Sequence, residues 1–450
     1  MSEFSSTLPT SEAARTGAAS LRTDSSTTPV SWVSLSQVLA AMSNALDLTE
    51  GNASGHTVRT CIIGMRLAEE LDLSAFDRVA LYGALLLKDS GCSGSSARFA
   101  EALRTEQPRD PIYKRVAAVL HRRRRSCALA ALPLSRGERG EAIALKLGFS
   151  TATADAIRGI DEHWDGTGGP DRRMGHEIPL FSRIILLAQT VDALCTERGV
   201  LVAMRVTRER SGMWFDPALV RIVRSWREDA QWWETLRSPE AVAMALSLEP
   251  EQHTRYVDDK GLDDVALAFA DIIDSKSPFT YQHSTNVAKY ARATAFELGF
   301  EKADVRMLNR AALLHDVGKL GVASAILDKH GPLTREERSE MQRHPVYTWE
   351  ILQHVGAFAS FARTAALHHE KLDGSGYPWG VKAKELDLPA RILCVADMYE
   401  ALTANRPYRE GLSRETALRI ICEGNGTLVC PVAADALTEA TRHLRVSVAV

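Results

Sequence analysis

The sequence has few cysteines, no long apolar run and no excess of charge of one sign. Its seven cysteines are scattered and never spaced C-x-x-C, which argues against a disulfide framework or a thiolate zinc site and predicts a reducing, cytoplasmic location. No segment approaches the roughly 18 uninterrupted apolar residues of a membrane helix, so no membrane association is expected. The net charge of −3, from 54 basic and 57 acidic residues, gives no sign of a nucleic-acid polymer as a partner.

The length of 450 residues predicts more than one domain, because a domain usually holds roughly 100–200 residues. Residues 1–31 include fourteen serines and threonines and little large apolar surface, so we predict a disordered tail there. Beyond this tail, apolar residues recur at helical spacing and strand-like alternation is scarce. The pattern predicts an all-α fold.

An internal repeat divides the rest of the chain. Residues 56–92 align with 283–319 without a gap at an offset of 227, and 164–188 align with 372–396 at an offset of 208. A unit of about 190 residues is far longer than a solenoid period, so the repeat indicates a duplicated domain. We predict a first copy at 32–237, a linker at 238–259 and a second copy at 260–445.

Nine of the thirteen histidines lie after residue 250, most of them in the second copy. Several of them adjoin a carboxylate or a glycine-rich loop. A carboxylate in an apolar helix, such as Asp397, is costly to bury without a partner, and a metal ion would be such a partner. The candidate metal ligands are five histidines and two aspartates, namely His283, His315, Asp316, His344, His368, His369 and Asp397.

The number of these donors fits a pair of metal ions. If Asp316 bridges two six-coordinate ions, the seven side chains leave positions open for a bridging hydroxide and for substrate oxygens, which is what a two-metal phosphoester hydrolase requires. Nitrogen and oxygen ligands suit Fe, Mn, Co, Ni or Zn and do not decide among them.

These residues resemble the HD-GYP domain, a subgroup of the HD phosphohydrolase superfamily, over residues 270–435. The resemblance rests on His315-Asp316-Val317-Gly318-Lys319, on the segment 368–378 with its Gly376-Tyr377-Pro378, on Asp397 and on the segment 406–409. It implies an all-helical domain with a centre of two or three metal ions that hydrolyses cyclic di-GMP to pGpG or GMP in bacterial signalling. For this chain we expect a hydroxide activated by two divalent ions, iron or manganese.

The resemblance also implies roles for individual residues. The seven donors above become the metal ligands, and Asp316 and Lys319 become catalytic. Lys319, Arg406 and Arg409 match positions that contact substrate phosphates, for which the forked donors of arginine are suited. Tyr377 either shapes the substrate pocket or presents a surface to a protein partner, and a homodimer is left open.

Two positions depart from the family pattern. Phe279 stands where some members have a glutamate that supplies a third metal ion, so we expect two ions. Thr348 stands where the family usually has a glycine, a change that removes no ligand.

The first copy retains few of these residues. Of the ligand positions it keeps only His56 and Asp89, while Lys88 stands in the position of His315, where its ammonium would repel a metal ion. The other aligned ligand positions hold Ile160, Asp161 and Gln189. We therefore predict a first domain without a metal site and with a structural or regulatory role.

Two alternatives to a cyclic di-GMP phosphodiesterase are open at this point. One is an HD phosphohydrolase acting on another nucleotide or phosphate ester. The other is a signalling scaffold that binds nucleotide without turnover, although a scaffold has no need of seven clustered ligands.

Overall fold

The computed structural model of the chain describes residues 33–49, 55–90, 136–250, 254–275, 282–322, 324–327, 329, 331–405 and 410–444. The described residues form two compact units. The first, which we call the terminal unit, contains the residues up to Ala45 together with those from Arg255 onwards. The second, which we call the central unit, is Leu46–Thr254.

Helices predominate among the described residues and strands are almost absent, which confirms the all-α prediction. The only strands among them are β1 (Val33–Ser34) and β2 (Tyr256–Val257), which pair antiparallel. No helix in this part of the chain combines the length and the apolar character needed to cross a membrane.

The helices up to residue 250 are α1 (Leu35–Thr49), α2 (His56–Glu70), α3 (Ala75–Leu87), α4 (Arg136–Lys146), α5 (Thr151–Arg158), α6 (Leu180–Arg198), α7 (Val200–Glu209), α8 (Pro217–Ser225), α9 (Ala230–Thr235) and α10 (Ala241–Ser247), with 3-10 turns at Gly175–Glu177 and Trp226–Glu228. The later helices are α11 (Asp259–Ser275), α12 (His283–Glu297), α13 (Lys302–Leu314), α14 (Ser324–Leu327), α15 (Arg335–Met341), α16 (His344–Gln353), α17 (Ala359–Ala366), α18 (Leu388–Thr403), α19 (Arg414–Glu423) and α20 (Pro431–Leu444), with a 3-10 turn at Val317–Gly321.

The core of the terminal unit is built around α12, which packs against α13, α18 and α20. Small and branched side chains face one another there, and Ala291, Ala312 and Val395 are fully buried. Small residues at such contacts let helix axes approach closely, which brings the ends of α12 and α13 next to the middle of α18.

Local signals fix where α18 begins. The Asp387 side chain accepts a hydrogen bond of 3.0 Å from the Ala390 amide, and Pro389 lies in the first turn, where it costs no hydrogen bond. An N-cap of this kind contributes about 1 kcal/mol to helix stability. Asp397 lies within this helix and is buried.

The central unit repeats part of this arrangement. Helices α2 and α12 each span 15 residues, and α3 and α13 each span 13, at the offset seen in the sequence. The peptide bonds Gly169–Pro170 and Tyr377–Pro378, which are also aligned, are both cis.

Candidate metal centre

All seven predicted ligands lie together in the terminal unit, although more than a hundred residues separate the first from the last. His283 begins α12, and His315 and Asp316 follow α13. His344 begins α16, the pair His368 and His369 follows α17, and Asp397 lies within α18. Each side chain thus comes from the end of a helix or from a buried helix face, where the packing of the core holds it in place. His369 is the most exposed of the seven, and its side chain is still only 24% accessible.

Four of the donors form one group around His283. Its Nε2 atom lies 3.3 Å from Nε2 of His315, 3.4 Å from Oδ2 of Asp316 and 3.4 Å from Oδ1 of Asp397. The ligand atoms of His283, His315 and Asp397 all lie within 4.8 Å of one another, which is close enough for one ion to reach all three.

A second group lies on the other side of Asp316. Nε2 of His344 is 3.2 Å from Nε2 of His368 and 3.3 Å from Oδ1 of Asp316, and His369 completes a cluster with these two histidines. Asp316 therefore turns one oxygen to each group. Its buried Oδ1 accepts no hydrogen bond from any described residue, and a buried carboxylate oxygen without a donor is suited to a cation.

Backbone carbonyls orient three of the imidazoles. Nδ1 of His315, His344 and His368 each lies 2.7 Å from the carbonyl oxygen three residues earlier, on Ala312, Met341 and Ala365. Since the carbonyl can only accept, Nδ1 carries the proton, and Nε2 presents its lone pair to the cluster. This arrangement, with one ring nitrogen tied and the other open, is typical of histidine ligands to metal ions.

Glu400 orients His283 in the same way, and the sequence did not lead us to it. Its Oε2 atom accepts from Nδ1 of His283 at 2.5 Å, and both residues are buried. The available signal was its position on the buried face of α18, three residues after Asp397, where a second carboxylate is also costly without a partner.

We expect Glu400→Gln to lower the affinity of the protein for Mn²⁺ by about 10–100-fold, because an amide holds the His283 ring less firmly and removes a negative charge. The measurement is a titration of metal-stripped protein with Mn²⁺. Glu423→Gln, which changes an exposed glutamate of the same unit, is the control. A Glu400→Gln protein that binds Mn²⁺ as the wild type does would contradict this role.

The cluster holds an excess of negative charge. Burial alone would raise the pKa of Asp316, but neighbouring histidines and the Lys319 ammonium hold it well below its usual range. The pKa of His283 is raised to about 10, because Asp316, Glu400 and Asp397 outweigh the effect of burial on the ring. A space lined by three buried carboxylates favours positive charge, and a divalent cation would supply it.

Two rings of the second group, those of His368 and His369, favour the neutral form. Burial, together with the charge of neighbouring imidazoles, holds the pKa values of His368 and His369 well below the ordinary histidine range. The neutral imidazole is the form that binds a metal ion. On donor type, orientation and charge, the seven residues fit divalent metal ions.

The structure describes two of the four residues predicted to contact the substrate. The ammonium of Lys319 forms an ion pair with Oδ2 of Asp316, so it lies at the cluster. The ring of Tyr377 packs against that of His369, with centroids 4.7 Å apart, which puts it beside the second group. Arg406 and Arg409 lie outside the described residues, as does Phe279.

The loop that carries Tyr377 is held by Glu370. The Oε1 atom of Glu370 accepts hydrogen bonds from the amides of Trp379 at 2.8 Å and Gly380 at 3.2 Å. A Cβ atom on Gly376 would lie 2.4 Å from Cα of Glu370, so the close approach of the two backbones requires glycine. The loop is thereby fixed against the segment that supplies His369.

In the central unit, the positions that align with the metal-ligand cluster of the terminal unit include two cationic side chains. The fully buried Lys88 forms an ion pair with Oδ2 of Asp89, and Nη2 of Arg136 lies 2.6 Å from Oδ1 of the same carboxylate. Lys88 aligns with His315, and Arg136 aligns with His344 at the offset of 208. The two oxygens of Asp89 are thus engaged by an ammonium and a guanidinium, at positions where the terminal unit has histidines.

Comparisons with known proteins agree with the resemblance noted in the sequence. The family described as "HD domain" matches residues 135–219 and 268–429. A Vibrio cholerae protein named 3'3'-cGAMP-specific phosphodiesterase 3 is 38% identical over 440 residues, which cover 91% of this chain and 95% of that protein. A cyclic di-GMP phosphodiesterase response regulator of Xanthomonas campestris is 39% identical over 158 residues, covering 34% of this chain and 41% of that protein.

A solved structure extends the likeness to the fold. The crystal structure of a cyclic GMP-AMP specific phosphodiesterase of Vibrio cholerae matches with a TM-score of 0.63 at 36% identity. The match covers 92% of this chain and 98% of that one, so it includes both units.

Proposed function

This chain belongs to the HD domain family as an HD-GYP member, and we propose that its terminal unit hydrolyses 3'3'-cGAMP in preference to other cyclic dinucleotides, with two divalent metal ions held by the seven clustered donors. The coarser activity, that of a phosphoric diester hydrolase of cyclic dinucleotides, follows from the family and from the relatives that match the whole chain.

The observation that carries the metal-dependent part is the position of Asp316 between two groups of imidazoles. His283, His315 and Asp397 would hold one ion, and His344, His368 and His369 the other, with Asp316 shared between them. Iron and manganese both suit this mixture of nitrogen and oxygen donors. Bound divalent cations would acidify an attacking water and offset the charge of the phosphodiester.

The residues of the chain supply positioning and charge. The carbonyl bonds to Nδ1 keep the imidazoles fixed, so that no side-chain rearrangement is needed during the reaction. Lys319 holds an ammonium beside Asp316, from which it can donate a hydrogen bond to a phosphate oxygen. Tyr377, packed on His369, gives one side of this space an aromatic wall against which a nucleobase can stack.

The choice of 3'3'-cGAMP rests on which relatives cover which part of the chain. The relative that covers 91% of it is named for 3'3'-cGAMP. Relatives named for cyclic di-GMP match only 34 to 40% of it. The sequence alone predicted cyclic di-GMP, and that nucleotide is the second candidate because several relatives of the catalytic segment carry its name.

Substrate preference is tested with a panel of 3'3'-cGAMP, cyclic di-GMP, cyclic di-AMP and nucleoside phosphates, using protein purified anaerobically and analysed for metal content. We expect kcat/KM for 3'3'-cGAMP to exceed that for cyclic di-GMP by about 10-fold or more, which corresponds to about 1.4 kcal/mol of difference in transition-state binding. Chromatography of the products distinguishes a linear dinucleotide from mononucleotides.

The outcomes of this panel separate the candidates. Preference for cyclic di-GMP would replace the proposed substrate and leave the activity class intact. Tight binding without product in metal-loaded protein would favour the scaffold alternative and overturn the proposal. Turnover of other phosphate esters alone would indicate a different HD phosphohydrolase.

The central unit is proposed to take no metal ion, because Lys88 and Arg136 already neutralise Asp89. Its role would then be structural or regulatory. The cytoplasmic location, a protein partner at the Gly-Tyr-Pro loop, a homodimer and the phosphate contacts of Arg406 and Arg409 stay predictions from the sequence.

A further inference from the structure

The turn after Asp316 rests directly on the first turn of α16. A Cβ atom on Gly318 would lie 1.9 Å from the carbonyl oxygen of His344 and 2.5 Å from the amide nitrogen of Thr348. The two backbones are therefore in contact with no side chain between them. The segment that carries His315 and Asp316 thus meets the helix that carries His344 at this point.

One hydroxyl group links these two segments. Oγ1 of Thr348 accepts a hydrogen bond of 3.0 Å from the amide of Gly318 and donates one of 2.8 Å to the carbonyl oxygen of His315. A hydroxyl has one proton to donate and lone pairs to accept with, so both bonds form at once. Thr348 is fully buried, and water cannot replace it.

The Thr348 hydroxyl bonds to a neighbouring segment and not to its own helix. A threonine inside a helix commonly bonds to the carbonyl four residues earlier, as Thr294 does with Tyr290 at 2.9 Å. Thr348 instead reaches across to the neighbouring segment. It also lies four residues after His344, on the same face of α16, so a movement of one is transmitted to the other.

Loss of the Thr348 hydroxyl would mainly change distances within the second donor group. Nε2 of His344 lies 3.3 Å from Oδ1 of Asp316, the buried oxygen that accepts no hydrogen bond from the described residues. These two residues belong to the two segments that Thr348 joins, whereas His283 and Asp397 come from α12 and α18. A change at Thr348 should therefore weaken the second group more than the first.

We propose that Thr348 is a positioning residue whose hydroxyl sets the spacing between Asp316 and His344 and so supports metal binding by the second donor group. This inference rests on the proposed function, since it takes the cluster to be a metal centre.

The test measures Mn²⁺ binding to metal-stripped protein. Calorimetry gives the affinities, and elemental analysis after dialysis gives the number of bound ions. Thr348→Val removes the hydroxyl and keeps the shape, while Thr348→Ser keeps the hydroxyl. Thr294→Val is the matched control, because that buried hydroxyl bonds to a carbonyl of its own helix. We expect Thr348→Val to bind one of its two Mn²⁺ equivalents about 10-fold or more less tightly than the wild type does, with Thr348→Ser and Thr294→Val close to the wild type.

Circular dichroism and the melting temperature in chelator show whether each variant is folded, and Thr348→Ala replaces Thr348→Val if the latter does not fold. Wild-type affinity in the folded variant without a hydroxyl overturns the inference. Equal weakening in Thr348→Ser and Thr348→Val also overturns it, because the methyl group would then be the determinant. Wild-type protein that binds no Mn²⁺ refutes the metal centre itself, a result distinct from the other two.

Discussion

Asp316→Asn should reduce hydrolysis of the preferred cyclic dinucleotide by more than about 10³-fold while leaving the fold intact. The carboxylate is fully buried, and each of its oxygens faces a different group of imidazoles. The amide keeps the volume but removes the charge and turns a hydrogen-bond donor towards one of the two groups. Steady-state rates and elemental analysis of the same preparation measure the effect.

The control for this variant is Asp435→Asn, which neutralises an exposed carboxylate of the terminal unit away from the cluster. Circular dichroism shows whether both proteins are folded. We expect Asp435→Asn to retain wild-type activity and metal content. If Asp316→Asn kept more than a tenth of the activity with its full complement of metal, Asp316 would not be the residue shared between two ions.

The seven candidate ligands were found from the sequence because four of them occur in adjacent pairs, and the structure places all seven close together. His315 and Asp316 are adjacent, as are His368 and His369, and the apolar segments around them show that these polar groups are buried. The helical fold followed from the apolar periodicity, and Val287, Ala291 and Ala295 are indeed buried within α12.

The residues that support the ligands could not be found in this way. Glu400 is 117 positions from His283, and Thr348 is 33 positions from His315, so their hydrogen bonds exist only through tertiary packing. Thr348 was noted in the sequence as an unusual residue, but its two bonds required coordinates. Arg136 was not recognised as a partner of Asp89 for the same reason.

The substrate was harder to predict than the chemistry. The proposed metal centre would act on a phosphodiester, and all 3'3'-linked cyclic dinucleotides contain the same two phosphodiester groups. Preference between guanine and adenine depends on side chains that touch the bases, and those residues carry no metal-ligand signature. Relatives that span the whole chain therefore bear on the substrate more than the signatures do.

Lys88→Met should destabilise the central unit by about 3–5 kcal/mol, the usual cost of removing one partner of a buried ion pair. Methionine fills a similar volume but removes the ammonium that pairs with Asp89, while the Arg136 guanidinium stays in place. Burial by itself would raise the pKa of Asp89, and it is Lys88 and Arg136 that hold this pKa well below its usual range. Urea unfolding followed by tryptophan fluorescence is suited to the measurement, because most of the eight tryptophans lie in the central unit.

A second substitution tests whether charge balance is the cause. If Lys88 stabilises the unit as the counter-charge of Asp89, the double variant Lys88→Met with Asp89→Asn should be less unstable than the sum of the two single variants. Arg205→Met, at an exposed arginine of the same unit, should unfold like the wild type. Strictly additive effects at Lys88 and Asp89 would mean that the ammonium does not stand in for a metal ion, and the proposal of a central unit neutralised by its own side chains would have to be given up.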